Sequence, residues 1–148
     1  MLLLVCGPPG VGKTTVATIL HQQLGRRGRS FRLAHSDAFS TRTYERLYEQ
    51  VTSAAVDWIV DGTFYKRRWQ ERFRGANDTV LVYLTASLET CLARNRARND
   101  PISEQGVTVV WREFDEPTAD VRLDTDVLSP SEAAREIVAY LAETERIP

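Results

Sequence analysis

Short, nearly continuous apolar segments alternate along this chain with longer segments in which apolar residues recur every three or four positions. The short segments are rich in Val, Ile, Leu and aromatic residues, and they predict β-strands at residues 2–6, 31–35, 58–61, 79–84 and 121–123. Strands that are apolar at consecutive positions are typical of a parallel sheet with both faces buried. The pattern therefore favours a sheet covered on both sides.

The segments between these strands have the apolar spacing of amphipathic helices. The first stripe runs from Val16 to Leu24, and others recur around residues 44–51, 69–73, 88–92, 107–114 and 134–141. The last helix has a start signal, since Ser129 is followed by Pro130 and then by Glu132. Alternating strands and helices predict a doubly wound α/β fold. We expect a five-stranded parallel sheet with helices on both faces, in one domain spanning residues 1–148.

Composition limits the class of protein. The 148 residues are 43% hydrophobic and 26% charged, as in an ordinary globular domain, and the formal net charge is −1. Cys6 and Cys91 lie in apolar segments and predict buried thiols rather than a disulfide. The apolar opening segment is too short for a signal peptide, and no apolar stretch is long enough to span a membrane. These features predict a cytoplasmic protein with no membrane partner.

One turn carries a strong chemical signal. Residues 7–14 read Gly-Pro-Pro-Gly-Val-Gly-Lys-Thr, the G-x-x-x-x-G-K-T spacing of a phosphate-binding P-loop. The turn follows the first strand and opens the first helix, so both flanks fit and chance glycines are disfavoured. The predicted ATP-binding residues are Gly7, Pro9, Gly10, Val11, Gly12, Lys13, Thr14 and Thr15. Lys13 would reach the terminal phosphates, and the Thr14 hydroxyl would bind Mg²⁺.

Two acidic residues follow predicted strands at the edge where the P-loop would lie. Asp37 follows the second strand, and it could accept a proton from an attacking hydroxyl or else cap the next helix. Asp61 ends an apolar run, the Walker B arrangement of a Mg²⁺-holding acid. Gly62 follows it, where mechanical ATPases have a second acid. The predicted metal residues are Thr14, Asp37 and Asp61.

Arginines supply the remaining candidates. Arg94 and Arg98 are four residues apart on one helical face, and they could stabilise charge on a transferring phosphoryl group or form a solvated basic face. The polar segment at residues 98–106 predicts a small lid. The basic run Lys66-Arg67-Arg68, with Arg42, could receive an anionic acceptor or nothing. The predicted catalytic residues are Lys13, Asp37, Arg94 and Arg98.

The order of these motifs, closed by Leu123-Asp124-Thr125 before the last helix, resembles the small P-loop kinases. This group includes adenylylsulfate kinase, zeta-toxin-type kinases and the kinase domain of L-seryl-tRNA(Sec) kinase. The resemblance implies transfer of the γ-phosphoryl group of ATP, with Mg²⁺, to an alcohol. It also implies that Asp37 is the base, that Asp61 supports the metal, and that Arg94 and Arg98 are lid arginines.

The acceptor stays open at this point. A hydroxyl on a small molecule, a nucleotide or RNA is the leading hypothesis, and a nucleoside monophosphate kinase or a non-catalytic ATP-binding regulatory module are the alternatives. A GTPase is disfavoured because the guanine-recognition motif Asn-Lys-x-Asp does not occur in the sequence. The near-neutral charge also argues against strong electrostatic binding of nucleic acid by the chain as a whole.

Overall fold

The computed structural model describes residues 1–36, 42–76 and 78–148. Its five strands are β1 (Leu2–Cys6), β2 (Arg32–His35), β3 (Trp58–Gly62), β4 (Thr79–Thr85) and β5 (Val121–Asp124). They form one sheet in the order β2-β3-β1-β4-β5, and every neighbouring pair is parallel. Each predicted strand is confirmed to within one residue at either end.

Six helices lie between and after the strands in the described part of the chain. They are α1 (Lys13–Arg26), α2 (Thr43–Thr52), α3 (Arg67–Arg74), α4 (Leu88–Arg96), α5 (Glu104–Glu113) and α6 (Pro130–Glu143). The start signal of the last helix is confirmed, since Ser129 and Glu132 form a reciprocal capping box with Pro130 at the first helical position. The Ser87 hydroxyl caps α4 by accepting from the Thr90 backbone N–H.

The sheet divides the core into two layers. Alternate residues of β1 face opposite sides: Leu3 and Val5 pack with α1, α4, α5 and α6, whereas Leu2 and Leu4 pack with α2 and α3. This arrangement confirms the doubly wound α/β fold with helices on both faces. The carboxyl ends of all five parallel strands meet at one edge of the sheet, where ligands bind in open α/β folds.

Both cysteines are buried and unpaired, as the sequence predicted. The Cys6 thiol donates to the carbonyl oxygen of Val82, and burial raises its pKa to about 12. It is therefore an inert, protonated group of the core at neutral pH. Among the described residues, no helix combines the length and the apolar character needed to cross a membrane.

Candidate active site

The turn between β1 and α1 has the backbone shape that the glycine spacing predicted. Gly10 and Gly12 have φ angles of 92° and 96°, a left-handed region that disfavours residues with a Cβ. A Cβ on Gly10 would lie 2.6 Å from the carbonyl oxygen of Cys91 in α4. Gly10 therefore lies directly against the backbone of α4, and this contact fixes the position of the turn.

Replacement of Gly10 by Ala should destabilise the protein by about 2–4 kcal/mol, because left-handed strain and backbone overlap act together. Gly12→Ala is the matched control, since its φ is nearly the same but nothing lies within 4 Å of its added Cβ. Strain alone should make that variant about 1–2 kcal/mol less stable. Urea denaturation measures both, and equal losses would mean that contact with α4 does not constrain the turn.

The N-terminus of α1 is open to an anion. Gly12 is its N-cap residue, no side chain accepts a hydrogen bond there, and the first turn has no acidic residue. Thr14 and Thr15, in that turn, are exposed to solvent. Helix N-terminal N–H groups without protein partners, together with the helix dipole, bind phosphate. The end of α1 therefore has the properties of a phosphate site.

Lys13 lies within this turn. Its ammonium Nζ donates to the carbonyl oxygens of Gly7, at 2.9 Å, and Pro8, at 3.0 Å. Withdrawal of the ammonium from water lowers the Lys13 pKa to about 8, although the Asp61 carboxylate opposes this shift. A partly desolvated cation at the end of a helix is stabilised by any anion that binds there.

Asp61 lies beside the turn, near the carboxyl end of β3, and is only 4% exposed. The Thr14 hydroxyl donates to its Oδ1 at 3.3 Å, and the His35 Nδ1 contacts its Oδ2. Burial raises the Asp61 pKa, while His35, Lys13 and Thr14 act in the opposite direction. A hydroxyl and a carboxylate are oxygen ligands that suit Mg²⁺.

The small number of side-chain oxygens at this site suits Mg²⁺. Across residues 1–36, 42–76 and 78–148 there is no group of three or more His, Cys, Asp or Glu side chains that could hold a metal by itself. Mg²⁺ on proteins usually keeps several waters and uses one or two carboxylates together with substrate phosphates. Thr14 and Asp61 match that sparse arrangement. The predicted metal residue and base Asp37 lies outside the described residues.

His35 ends the strand predicted at residues 31–35, and its contact with Asp61 had no signal in the sequence. The register of the sheet explains the contact, because His35 on β2 pairs directly with Asp61 on β3. The side chain of His35 is 33% exposed, so it reaches Asp61 from the solvent side. His35 can therefore hold the Asp61 carboxylate in the orientation in which its Oδ1 accepts from the Thr14 hydroxyl.

The loop after β3 is also fixed by a residue that the sequence analysis did not identify. The Gln70 amide is buried and donates from Nε2 to the carbonyl oxygens of Phe64, at 2.8 Å, and Asp115, at 2.6 Å. Phe64 has a φ of 50°, and its N–H donates to the Tyr44 hydroxyl at 2.9 Å. These bonds join α2, α3 and the segment after α5 beside Asp61.

The two predicted catalytic arginines have different surroundings. The Arg94 guanidinium donates to the carbonyl oxygens of Gly10, at 3.2 Å, and Val11, at 3.3 Å, and to the hydroxyl and carbonyl of Thr125, at 3.0 and 2.8 Å. Arg94 thus contacts the backbone of the turn and Thr125, which itself contacts the turn. Arg98 is exposed, and its charge contributes to the lowered Lys13 pKa. A direct role for either in phosphoryl transfer stays a prediction.

Thr125 completes the attachment of the turn. Its buried hydroxyl contacts the carbonyl oxygens of Val11, at 2.8 Å, and Thr85, at 3.1 Å. Thr125→Val should weaken ATP binding about 10-fold, because Val11 and Arg94 lose a buried partner at a cost of about 1–3 kcal/mol. Thr125→Ser keeps the hydroxyl and should stay near the parent. Calorimetry with ATP and AMP tests this, since an equal loss for both nucleotides would contradict an effect through the phosphate turn.

The segment predicted to be a lid, residues 98–106, begins two residues after α4 and ends in the first turn of α5. The buried Asn95 amide closes it, donating to the Ile102 carbonyl at 2.7 Å and accepting from the Ile102 N–H at 3.1 Å. Arg96 and Glu104 form an exposed ion pair across the same segment. The loop is therefore short and tied at its base, and its closure over a ligand stays a prediction.

Comparison with known proteins places the chain in a family. The sequence profile of the AAA domain family matches residues 2–121. A cytidylate kinase of Sulfurisphaera tokodaii (strain DSM 16993 / JCM 10545 / NBRC 100140 / 7) is 27% identical over 174 aligned positions, which cover 95% of each protein.

Solved structures share the fold at lower identity. A sugar kinase from Janibacter sp. HTCC2649 superposes with a TM-score of 0.77 and 20% identity, covering 95% of this chain and 94% of that one. The Mycobacterium tuberculosis APS kinase in complex with AMPPNP and APS gives a TM-score of 0.74 and 20% identity, covering 95% and 96%. The chain belongs to the AAA domain family and has the fold of the small P-loop kinases.

Proposed function

We propose that this chain is an ATP- and Mg²⁺-dependent kinase that transfers the γ-phosphoryl group to a hydroxyl. The acceptor is a small molecule or is linked to a nucleic acid. The observation that carries the proposal is the Lys13 ammonium, which is partly desolvated at the open N-terminus of α1 and lies beside the Thr14–Asp61 pair. A phosphate chain and its metal would each find a complementary group there.

The proposed roles follow from these contacts. The turn amides and Lys13 bind the donor phosphates, and Thr14 and Asp61 hold Mg²⁺, which neutralises charge on the phosphate oxygens. Arg94 keeps the turn in shape through Gly10 and Val11. The exposed Arg98 extends from the lid at residues 98–106 toward the transferring group. Asp37 accepts the proton of the acceptor hydroxyl.

A nucleoside monophosphate kinase is the second candidate, and the similarity to a cytidylate kinase favours it. In that reaction the acceptor is a phosphate oxygen, which needs no general base. The two candidates therefore share the donor half of the site and differ in the role of Asp37. The two buried, unpaired thiols support the cytoplasm as the compartment of either enzyme.

A transfer screen with ATP labelled in the γ-phosphate tests the proposal. The acceptors would be nucleosides, nucleoside monophosphates, adenylylsulfate, nucleic-acid 5′ ends, sugar acids and seryl-tRNA. Release of ADP in step with a labelled hydroxyl product is the expected result. Label on a monophosphate would favour the second candidate, and ATP hydrolysis that no acceptor stimulates would contradict a kinase.

A further inference from the structure

Positive charge is concentrated on α3 and the residue before it. Residues 66–74 contain five basic residues and one acidic residue, although the whole chain has a formal net charge of −1. Arg74 pairs with Asp120 at 3.0 Å. Within the described residues, the other four basic side chains have no carboxylate within ion-pair distance: Lys66, Arg67, Arg68 and Arg72.

Three of these cations lie over aromatic rings. The Arg72 guanidinium is 4.5 Å from the centre of the Tyr48 ring, and the Arg68 guanidinium is 5.5 Å from that of Trp69. The Lys66 ammonium is 4.9 Å from the centre of the Tyr65 ring. Arg68 and Arg72 are exposed and four residues apart, so both project from one face of α3. A guanidinium that lies over a ring can still present N–H groups to phosphate.

One end of this surface lies at the same edge of the sheet as the active site. Lys66 follows the last residue of β3 by four positions, at the sheet edge that also holds Asp61. Gln70, on α3 itself, fixes the loop between them through the Phe64 carbonyl. The surface belongs to the α2–α3 layer, on the opposite side of the sheet from α1 and α6.

We propose that this α3 surface, formed by Tyr48, Lys66, Arg67, Arg68, Trp69 and Arg72, binds a single-stranded nucleic acid. Its unpaired cations match backbone phosphates, and the guanidinium planes that lie over its aromatic rings match unstacked bases. An acidic peptide or a lipid headgroup would use the charge but not the planar groups. This inference rests on the proposed function, in which case the bound strand carries the acceptor hydroxyl.

Fluorescence anisotropy with labelled oligouridylate and oligothymidylate of about twelve nucleotides tests the proposal. Arg68→Ala/Arg72→Ala should weaken binding at least about 10-fold, since two stacked contacts are lost. The slope of log K against log salt should fall in magnitude by about 1.4, or about 0.7 for each lost phosphate contact.

Arg26→Ala/Arg135→Ala is the matched control. It removes the same charge from exposed positions on α1 and α6, behind the sheet. That variant should change the dissociation constant by less than about 2-fold, because a charge beyond the Debye length is largely screened. Equal weakening by the two double variants would overturn the proposal, because net charge alone would then explain binding.

Arg68→Lys/Arg72→Lys separates charge from stacking. The lysines keep the charge but have no planar group, so binding should be about 3-fold or more weaker than in the parent. Parent-like binding by this variant would overturn the stacking role. Competition by inorganic polyphosphate or anionic vesicles at the same charge concentration as the oligonucleotide would overturn recognition of nucleic acid. Circular dichroism melting verifies that each variant folds.

Calorimetry of the unmodified protein with MgATP keeps the two proposals distinguishable. A protein that binds MgATP but neither oligonucleotide would overturn this inference and leave the proposed kinase intact. A protein that binds the oligonucleotides but not MgATP would overturn the kinase and leave the α3 surface as a nucleic-acid site.

Discussion

Replacement of Lys13 by Met is expected to abolish phosphoryl transfer while making the folded protein more stable. The variant loses the cation that is proposed to bind the terminal phosphates of ATP, and a cation that stabilises a transferring phosphoryl group, such as an arginine finger, contributes about 10³–10⁵-fold to turnover. It also loses an ammonium that folding withdraws from water, as the lowered Lys13 pKa of about 8 shows. We expect the free energy of unfolding near neutral pH to rise by about 1–3 kcal/mol.

The pH dependence gives this prediction a second measurable part. The Lys13 pKa is lowered from 10.5 to about 8 in the folded protein, so between these values the unfolded state binds more protons. Stability of the unmodified protein should therefore rise with pH across this window, and the advantage of Lys13→Met should shrink. Below the folded pKa both states are protonated, and the advantage is present in full.

Chemical denaturation at a pH below 8 and again near 10 measures this change, and γ-phosphate transfer measures activity. Lys66→Met is the control for the stability measurement alone, because it removes the chain's other lysine at a position outside the phosphate turn. It should not reproduce the gain in stability, because the Lys66 ammonium lies over the Tyr65 ring and not against the backbone of the turn. Retained transfer in Lys13→Met, or a loss of its stability, would contradict the assigned role of Lys13.

Replacement of Asp37 by Asn should lower turnover by about 10²–10⁴-fold on a hydroxyl acceptor, the usual contribution of general base catalysis. Asp37 is outside the described residues, so the prediction rests on its position after β2. That strand pairs with β3, which carries Asp61. A base acts on the acceptor, so ATP affinity should change little if that is the only role of Asp37, whereas the metal role also predicted for it would weaken MgATP binding.

Steady-state kinetics on the acceptor found in the screen, with ATP calorimetry beside it, measure this effect. Asp57→Asn is the control, since Asp57 precedes β3 at the opposite edge of the sheet and pairs with the N-terminal ammonium at 2.7 Å. It should leave turnover near the parent value. If Asp37→Asn keeps most of the rate, the acceptor is a phosphate and the monophosphate kinase is favoured.

The fold could be predicted from the sequence because its signals are local. The run Trp58-Ile59-Val60 is apolar at each position, as a strand buried on both faces must be. The glycines of residues 7–12 occur where the backbone is left-handed, and Ser129 precedes a helix that it caps. Such features depend on a few residues that are neighbours in the sequence, so they can be recognised before the fold is known.

The finer contacts of the site depend on strand order and register, which neighbouring residues do not encode. His35 meets Asp61 only because β2 and β3 are adjacent in one register. Arg94 reaches the phosphate turn because β1 and β4 are neighbours, which brings α4 beneath Gly10. A helical spacing predicted that Arg94 and Arg98 share a face, but it could not show that one of them contacts the backbone of the turn.

The two-layer core has a consequence for how such an enzyme can change over time. The phosphate turn and α1 pack with α4, α5 and α6, whereas α2 and α3 have an apolar cluster of their own on the other face of the sheet. Substitutions in one layer therefore leave the packing of the other largely undisturbed. In the proposed kinase, evolution can therefore change the acceptor through substitutions in the α2–α3 layer, while the layer proposed to bind ATP is inherited intact.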